Sequence, residues 1–328
     1  MTSSQSWMIG LDLGGTNVQG GVVDGTGQVL VRDKTKTKAE EGEVKVIKRI
    51  GKLVDDLLDA ANLQRRDLAA IGIGAPGAID IARGVVLSAP NLGWENVALG
   101  ETLQDTLGVS VVVDNDVNVG TWGEACAGAG QGCDDLMGIF VGTGVGGALV
   151  LDGRIYHGPR RTAGEVGHTV MNVFGRRGER TLEDLASRRA IGNRLMQLLQ
   201  KGESSVIDEL SNGGTTKIKS KMLRKAWEKQ DPLALEVIED AAHHVGVAAA
   251  NAVTLLSIPR VVLGGGVVEA LGEHFTGMAR DSFQRHVFPP ELRDTQLLTG
   301  ELGDDAGIVG AAALARTHAP QSQSATST

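Results

Sequence analysis

The sequence predicts an α/β fold divided between two domains. Three observations lead there. The chain has 328 residues, more than a single domain of about 100 to 200 residues accounts for. Short apolar strand patterns alternate with helical ones along its length. One glycine-tipped strand pair also occurs twice, with Gly14 falling on Gly142, Val22 on Val150, Asp24 on Asp152 and Gly25 on Gly153.

Residues 7–13, WMIGLDL, read as a short buried strand. Gly14, Gly15, Thr16 and Asn17 turn the chain into a second strand over residues 18–23, and Asp24-Gly25 ends it. Val44, Ile47, Ile50, Val54, Leu57 and Leu58 then recur near the helical period. Residues 70–74 form an apolar strand that meets Ala75-Pro76-Gly77-Ala78, and residues 109–113 form another that meets Asp114, Asn115 and Asp116. Residues 138–141 repeat the opening, running into Gly142, Thr143 and Gly144 and out through ALVLDG. Generic hairpin chemistry gives the same short match as a duplicated domain, so both explanations stand at this level. Residues 200–227 are polar and poorly periodic, and are expected to be a mobile excursion. A helix is predicted over residues 232–257, stopped before Pro259. RVVLGGG then drives a strand into Gly264, Gly265 and Gly266.

Composition narrows the function classes. Apolar residues at 41% and charged ones at 22% suit a soluble globular protein. No apolar run is long enough to span a membrane, and no signal-peptide pattern is present, so a cytoplasmic protein is expected. The net charge of −8 argues against a nucleic-acid partner, which calls for a basic stripe. Cys126 and Cys133 make neither a disulfide framework nor a zinc signature, and read as reduced thiols packed like small hydrophobes. The tails, residues 1–6 and 318–328, are rich in Ser, Thr and Gln and are expected to be disordered.

Glycine is the outlier, with 46 residues, about twice the usual share of roughly 7%. Turns rich in glycine aim backbone N–H groups into a concavity that accepts phosphate. Thr16, Asn17 and Thr143 add side-chain donors. Glycine is also the default wherever the backbone needs positive φ, so a single turn decides little. Three such turns, each directly after an apolar strand, favour phosphate. Neither a Walker A sequence nor a well-formed GxGxxG with its downstream acid is present, which weakens P-loop and Rossmann readings.

LDLGGTN, NDVN, GTGVGG, GEVGH and LGGG occur here in that order, and over residues 8–315 the chain resembles ROK-family sugar kinases of the actin-like superfamily. The resemblance implies two actin-like (ribonuclease H-like) α/β domains with mixed sheets flanking a central cleft. It also implies that residues 304–315 form a helix returning to the first domain, giving domains of 1–118 with 304–328 and of 119–303.

By that resemblance Asp116 is the base that takes the proton of the attacking sugar hydroxyl. Asp114 would share a face with it if the strand continued, but the strand is expected to end first. Gly77, Ala78, Asn91, Asn115, Glu165, His168 and Glu183 are implied as sugar contacts, beside Asp116 itself. Carboxylates and amides suit hydroxyls that both donate and accept. Gly14, Gly15, Thr16, Asn17, Gly142, Thr143, Gly144, Gly264, Gly265 and Gly266 are implied to hold ATP, with Gly264 to Gly266 on the adenosine side. Asp12 is implied to approach Mg²⁺ through water.

The segment after His168 departs from zinc-binding relatives. TVMNVFGRRGERTLED has no cysteine, so no structural zinc is expected. Arg176, Arg177 and Arg180 in this segment read as a solvated charge cluster. The implied activity is transfer of the γ-phosphate of MgATP to a hexose, with glucose at its 6-hydroxyl as the leading acceptor. Mannose, fructose and N-acetylhexosamines are alternative acceptors, polyphosphate is an alternative donor, and a homodimer is compatible with the resemblance. A non-catalytic sugar-sensing regulator is the second class of function. Too few residues precede Trp7 here for the DNA-binding domain of such regulators.

Overall fold

The computed structural model describes residues 7–213 and 217–319. Of the tails expected to be disordered, residues 1–6 and 320–328 lie outside that set, whereas His318 closes a helix. The chain separates into two compact units, residues 1–128 with 304–328 and residues 129–303.

The first unit opens with strands β1 (Trp7–Leu13), β2 (Asn17–Val23) and β3 (Val29–Lys36). Helix α1 (Glu43–Ala61) and strand β4 (Leu68–Ala75) follow. Strands β5 (Ala78–Asp80), β6 (Val85–Ala89) and β7 (Trp94–Val97) make a small antiparallel sheet. Helix α2 (Leu99–Leu107), strand β8 (Val111–Asn115) and helix α3 (Asp116–Ala127) complete the run. The main sheet has the order β3-β2-β1-β4-β8. Its β1–β2 and β2–β3 pairs are antiparallel, and its β1–β4 and β4–β8 pairs are parallel.

The second unit contains β9 (Leu136–Val141), β10 (Val145–Leu151) and β11 (Arg154–Ile155), then α4 (Leu182–Ala186), α5 (Arg188–Gln200), α6 (Val206–Leu210), α7 (Ser220–Glu228) and α8 (Pro232–Leu256). It ends with β12 (Arg260–Gly264), α9 (Gly266–Leu271), α10 (Glu273–His286) and β13 (Gln296–Thr299). Its sheet order is β11-β10-β9-β12-β13, with the same sequence of antiparallel and parallel pairings as the first sheet. The repeated hairpin therefore belongs to a repeated sheet.

Helix α11 (Ala306–His318) returns to the first unit and lies on β1 and β4. Glycine makes that possible. A Cβ on Gly10 or Gly72 would overlap the Ile308 or Ala311 carbonyl, and one on Gly123 or Gly310 would strike the facing helix. On that face Ile308, Ala312 and Ala315 pack with Met8, Val23 and Ala70. Another cluster joins α1 and α2 to the main sheet through Ile50, Val54, Leu57 and Leu103. Within α1, Val44 is exposed, and Val46 and Leu53 fill the inward face instead.

Two further expectations need correction. Residues 200–227 carry α6 and α7, whose Ile207, Met222, Leu223 and Ala226 are buried in the core of the second unit. The two helices are short and separated, so their apolar spacing is hidden in a polar stretch. Cys126 and Cys133 form no disulfide, but Cys126 lies exposed on α3 and Cys133 is only half-buried.

Candidate active site

The parallel strands of the first unit bring three positions into register at their C-terminal ends: Asp12 pairs with Gly74, and Gly74 with Asp114. This edge is the usual ligand side of an α/β sheet. Strand β8 ends at Asn115 and α3 begins at Asp116. The change from strand to helix separates the two acids. Asp114 is fully buried, and its Oδ1 accepts from Asn115 N at 2.6 Å and Asn118 Nδ2 at 2.9 Å. Asp116 is half-buried at the first helical position, and its Oδ1 accepts from Val117 N at 2.9 Å.

Asn115 caps the helix that carries Asp116. Its Oδ1 accepts from Val117 N at 2.9 Å and Asn118 N at 3.2 Å, satisfying two amides that a helix start leaves open. Its Nδ2 donates to the Gly77 carbonyl at 3.1 Å, leaving one amide hydrogen for another acceptor. Gly77, Asn115 and Asp116 are thus brought together, with exposed Ala78 next in chain. Exposed Asn91 lies beside the first glycine turn, its carbonyl oxygen 3.4 Å from where a Gly15 Cβ would stand.

Asp12 is held by two residues that sequence reasoning passed over. Gln19, its cross-strand partner, donates from Nε2 to Asp12 Oδ2 at 3.0 Å and to the Asp304 carbonyl at 3.0 Å. Knowing the hairpin register would have revealed that pair. Gly307, at the start of α11, packs so close that a Cβ there would lie 2.9 Å from Asp12 Cγ. Burial raises the Asp12 pKa, the Gln19 hydrogen bond lowers it in part, and the charge of Asp304 raises it. A dication would offset both the burial and the repulsion between the acids. Hard carboxylate oxygens also suit Mg²⁺, which commonly takes one or two carboxylates and completes its shell with water and phosphate. Among the described residues, no group of three or more His, Cys, Asp or Glu is arranged to hold a metal by itself.

The two glycine turns are related but unequal. Residues 14–17 lie between the paired Leu13 and Val18, and Gly14 N donates to Asn17 O at 2.9 Å. Residues 142–144 lie between the paired Val141 and Val145, and Gly142 N donates to Gly144 O at 2.9 Å. Thr16, Asn17 and Thr143 are exposed at the tips. The third turn has a packing explanation of its own: Gly265 has φ +84°, a Cβ on it would strike the Val141 backbone, and one on Gly264 would strike the Phe140 ring. Gly266 begins α9.

In the second unit, Glu165 stands at the N-cap of a turn of 3-10 helix, Val166–His168, and His168 closes it. Both are exposed, and His168 Nε2 lies 4.0 Å from Glu165 Oε2. Glu183 sits at the second glycine turn instead. Its Oε2 accepts from Val145 N at 3.0 Å and its Oε1 from Arg189 Nη2 at 2.9 Å. The segment between His168 and Glu183 is tied by its own backbone: Val170 bridges to Thr181, and Met171 N and Asn172 N both donate to Arg180 O. Val173 and Phe174 are exposed on it. A cavity of about 1000 Å³ between α1, α2 and β7 is lined by none of the residues expected at the site.

Two mixed sheets of one pattern, each opening with a glycine turn after its first strand, define the actin-like ATPase fold. The family model described as "ROK family" matches residues 8–318, and the chain belongs to that family. A glucokinase of Halalkalibacterium halodurans is 31% identical over 315 residues, 94% of this chain and 94% of that protein. A solved ROK family glucokinase from Streptomyces griseus, in complex with glucose and AMPPNP, matches with a TM-score of 0.84 at 32% identity, covering 95% of this chain and 100% of that one. A xylose repressor of Caldicellulosiruptor bescii is 28% identical over 319 residues, 94% of this chain and 77% of the repressor. Among the described residues no helix is long and apolar enough to cross a membrane.

Proposed function

We propose that the chain is an ATP-dependent glucokinase that phosphorylates the 6-hydroxyl of glucose in the cytoplasm. The observation that carries this reading is the placement of Asp116. It stands at the C-terminal end of a parallel strand, at the start of a helix capped by Asn115. An acid so fixed can accept a hydroxyl proton, and it needs no raised pKa. An ordinary Asp, with a pKa of about 3.9, is ionised at pH 7. Phosphoryl transfer through a loose transition state depends on positioning more than on early proton removal.

In this reading Asn115 offers its remaining amide hydrogen to the sugar, with Asn91, Gly77 and Ala78 beside it. Glu165, His168 and Glu183 bind further hydroxyls. Glu183 can do so because each carboxylate oxygen has a lone pair beyond the one already engaged. The turns at residues 14–17 and 142–144 bind phosphate oxygens through backbone N–H groups, and Gly264 to Gly266 face the adenosine. Asp12, steadied by Gln19, holds Mg²⁺ through water. When bound, the ion neutralises charge on the phosphates.

The test is ADP release measured with glucose, mannose, fructose and N-acetylglucosamine as acceptors. Glucose is expected to give the highest kcat/KM. The repressor relative motivates the competing class, which predicts sugar binding with no ADP release from any hexose.

A further inference from the structure

We propose that Arg188 is a further donor-binding residue, whose guanidinium contacts the phosphate chain of ATP at the second glycine turn. The inference rests on the kinase reading above.

Arg188 is the first residue of α5 and is attached to that turn twice. Its backbone N donates to Gly142 O at 2.9 Å, and its Nη2 donates to Thr143 Oγ1 at 2.6 Å. Its Nη1 lies 3.5 Å from Ser220 Oγ, an atom 3.2 Å from where a Gly266 Cβ would stand. One side chain therefore reaches from the tip of the 142–144 turn to the neighbourhood of the 264–266 turn.

Its neighbour shows the contrast. Arg189 is neutralised by Glu183 at 2.9 Å, while among the described residues the side-chain bonds of Arg188 go to two hydroxyls and to no carboxylate. A guanidinium has five N–H donors, and two hydroxyl contacts leave most of them and the full charge available. Its planar fork matches phosphate oxygens in pairs. Thr143, exposed at the tip, sets the guanidinium beside the backbone N–H groups already assigned to phosphate.

The experiment compares the full chain with Arg188→Met and Arg188→Lys, measuring calorimetric affinities for ADP, adenosine and glucose together with KM for ATP. Losing charge-assisted bonds to phosphate should weaken ADP and raise the KM for ATP by about 10- to 100-fold in Arg188→Met. Adenosine and glucose affinities should stay unchanged. Arg188→Lys should lose less, because it keeps the charge without the fork. Unchanged ADP affinity in Arg188→Met would overturn the assignment. So would parallel weakening of ADP, adenosine and glucose, which marks a collapsed turn. A parent chain that binds no ADP and phosphorylates no hexose would instead overturn the kinase reading, and this assignment with it.

Discussion

Asn118 donates from Nδ2 to Asp114 Oδ1 across 2.9 Å inside the first unit, spanning the strand end and the first turn of the helix that carries Asp116. Asp114 has no exposed surface, so every donor it meets matters. Asn118→Ala should destabilise the protein by about 1–3 kcal/mol, the range for a buried polar group that loses a hydrogen-bond partner. Urea denaturation measures this, and an unchanged midpoint would show that the contact carries no weight.

Asp12 gives a prediction about pH. Burial, partly offset by Gln19 and reinforced by Asp304, raises its pKa above 3.8. The folded chain then binds this proton more tightly than the unfolded chain. Stability therefore falls as pH rises between 3.8 and the raised value, and the ionised acid remains a cost above it. Asp12→Asn should raise the Tm at pH 7, with a gain that shrinks as pH falls toward 3.8. Its Mg²⁺-dependent activity should be lost. A Tm at pH 7 equal to or below that of the parent contradicts this.

Gly307 sets how closely α11 approaches the same acid. A Cβ there would stand 2.9 Å from both Asp12 Cβ and Cγ. Strand pairing fixes the Asp12 backbone and with it Cβ, so the carboxylate must rotate away from the methyl group and the start of α11 must also shift. Gly307→Ala should cost about 10²-fold in kcat, as misplacement by roughly 1 Å can, and should raise the Mg²⁺ concentration needed for half-maximal rate. An unchanged Mg²⁺ titration would mean that the carboxylate tolerates the methyl group.

The segment between His168 and Thr181 closes on itself through the Val170–Thr181 bridge and the two bonds to Arg180 O. Elemental analysis should find no stoichiometric zinc, and a zinc-selective chelator should leave the Tm unchanged. Zinc at one equivalent per chain would contradict this.

Much of the first unit was legible because its strands announce themselves. WMIGLDL and the valines before Asp114 are short apolar runs with turn residues behind them, and both are strands in the fold. The end of β8 near the run Asp114-Asn115-Asp116 was also expected, but the helix that starts at Asp116, and its Asn115 cap, were not read from the sequence. Much of the glycine content was harder to interpret from sequence. Gly10, Gly72, Gly123 and Gly310 serve helix packing, and nothing local marks which helix will lie over them. Glu183 reads as one more sugar contact, yet it meets Val145 N and Arg189 through long-range geometry that no spacing encodes. Helices α6 and α7 escaped for a related reason: each is too short for its buried residues to establish a period.

The role of Asp116 is tested most directly by the turnover of Asp116→Asn with glucose and ATP, alongside its calorimetric affinity for glucose. Loss of a general base should lower kcat by about 10²- to 10⁴-fold, with glucose affinity little changed because Asn115 still caps the helix and still points its amide the same way. A variant that keeps most of the parent kcat while binding glucose normally would contradict the account.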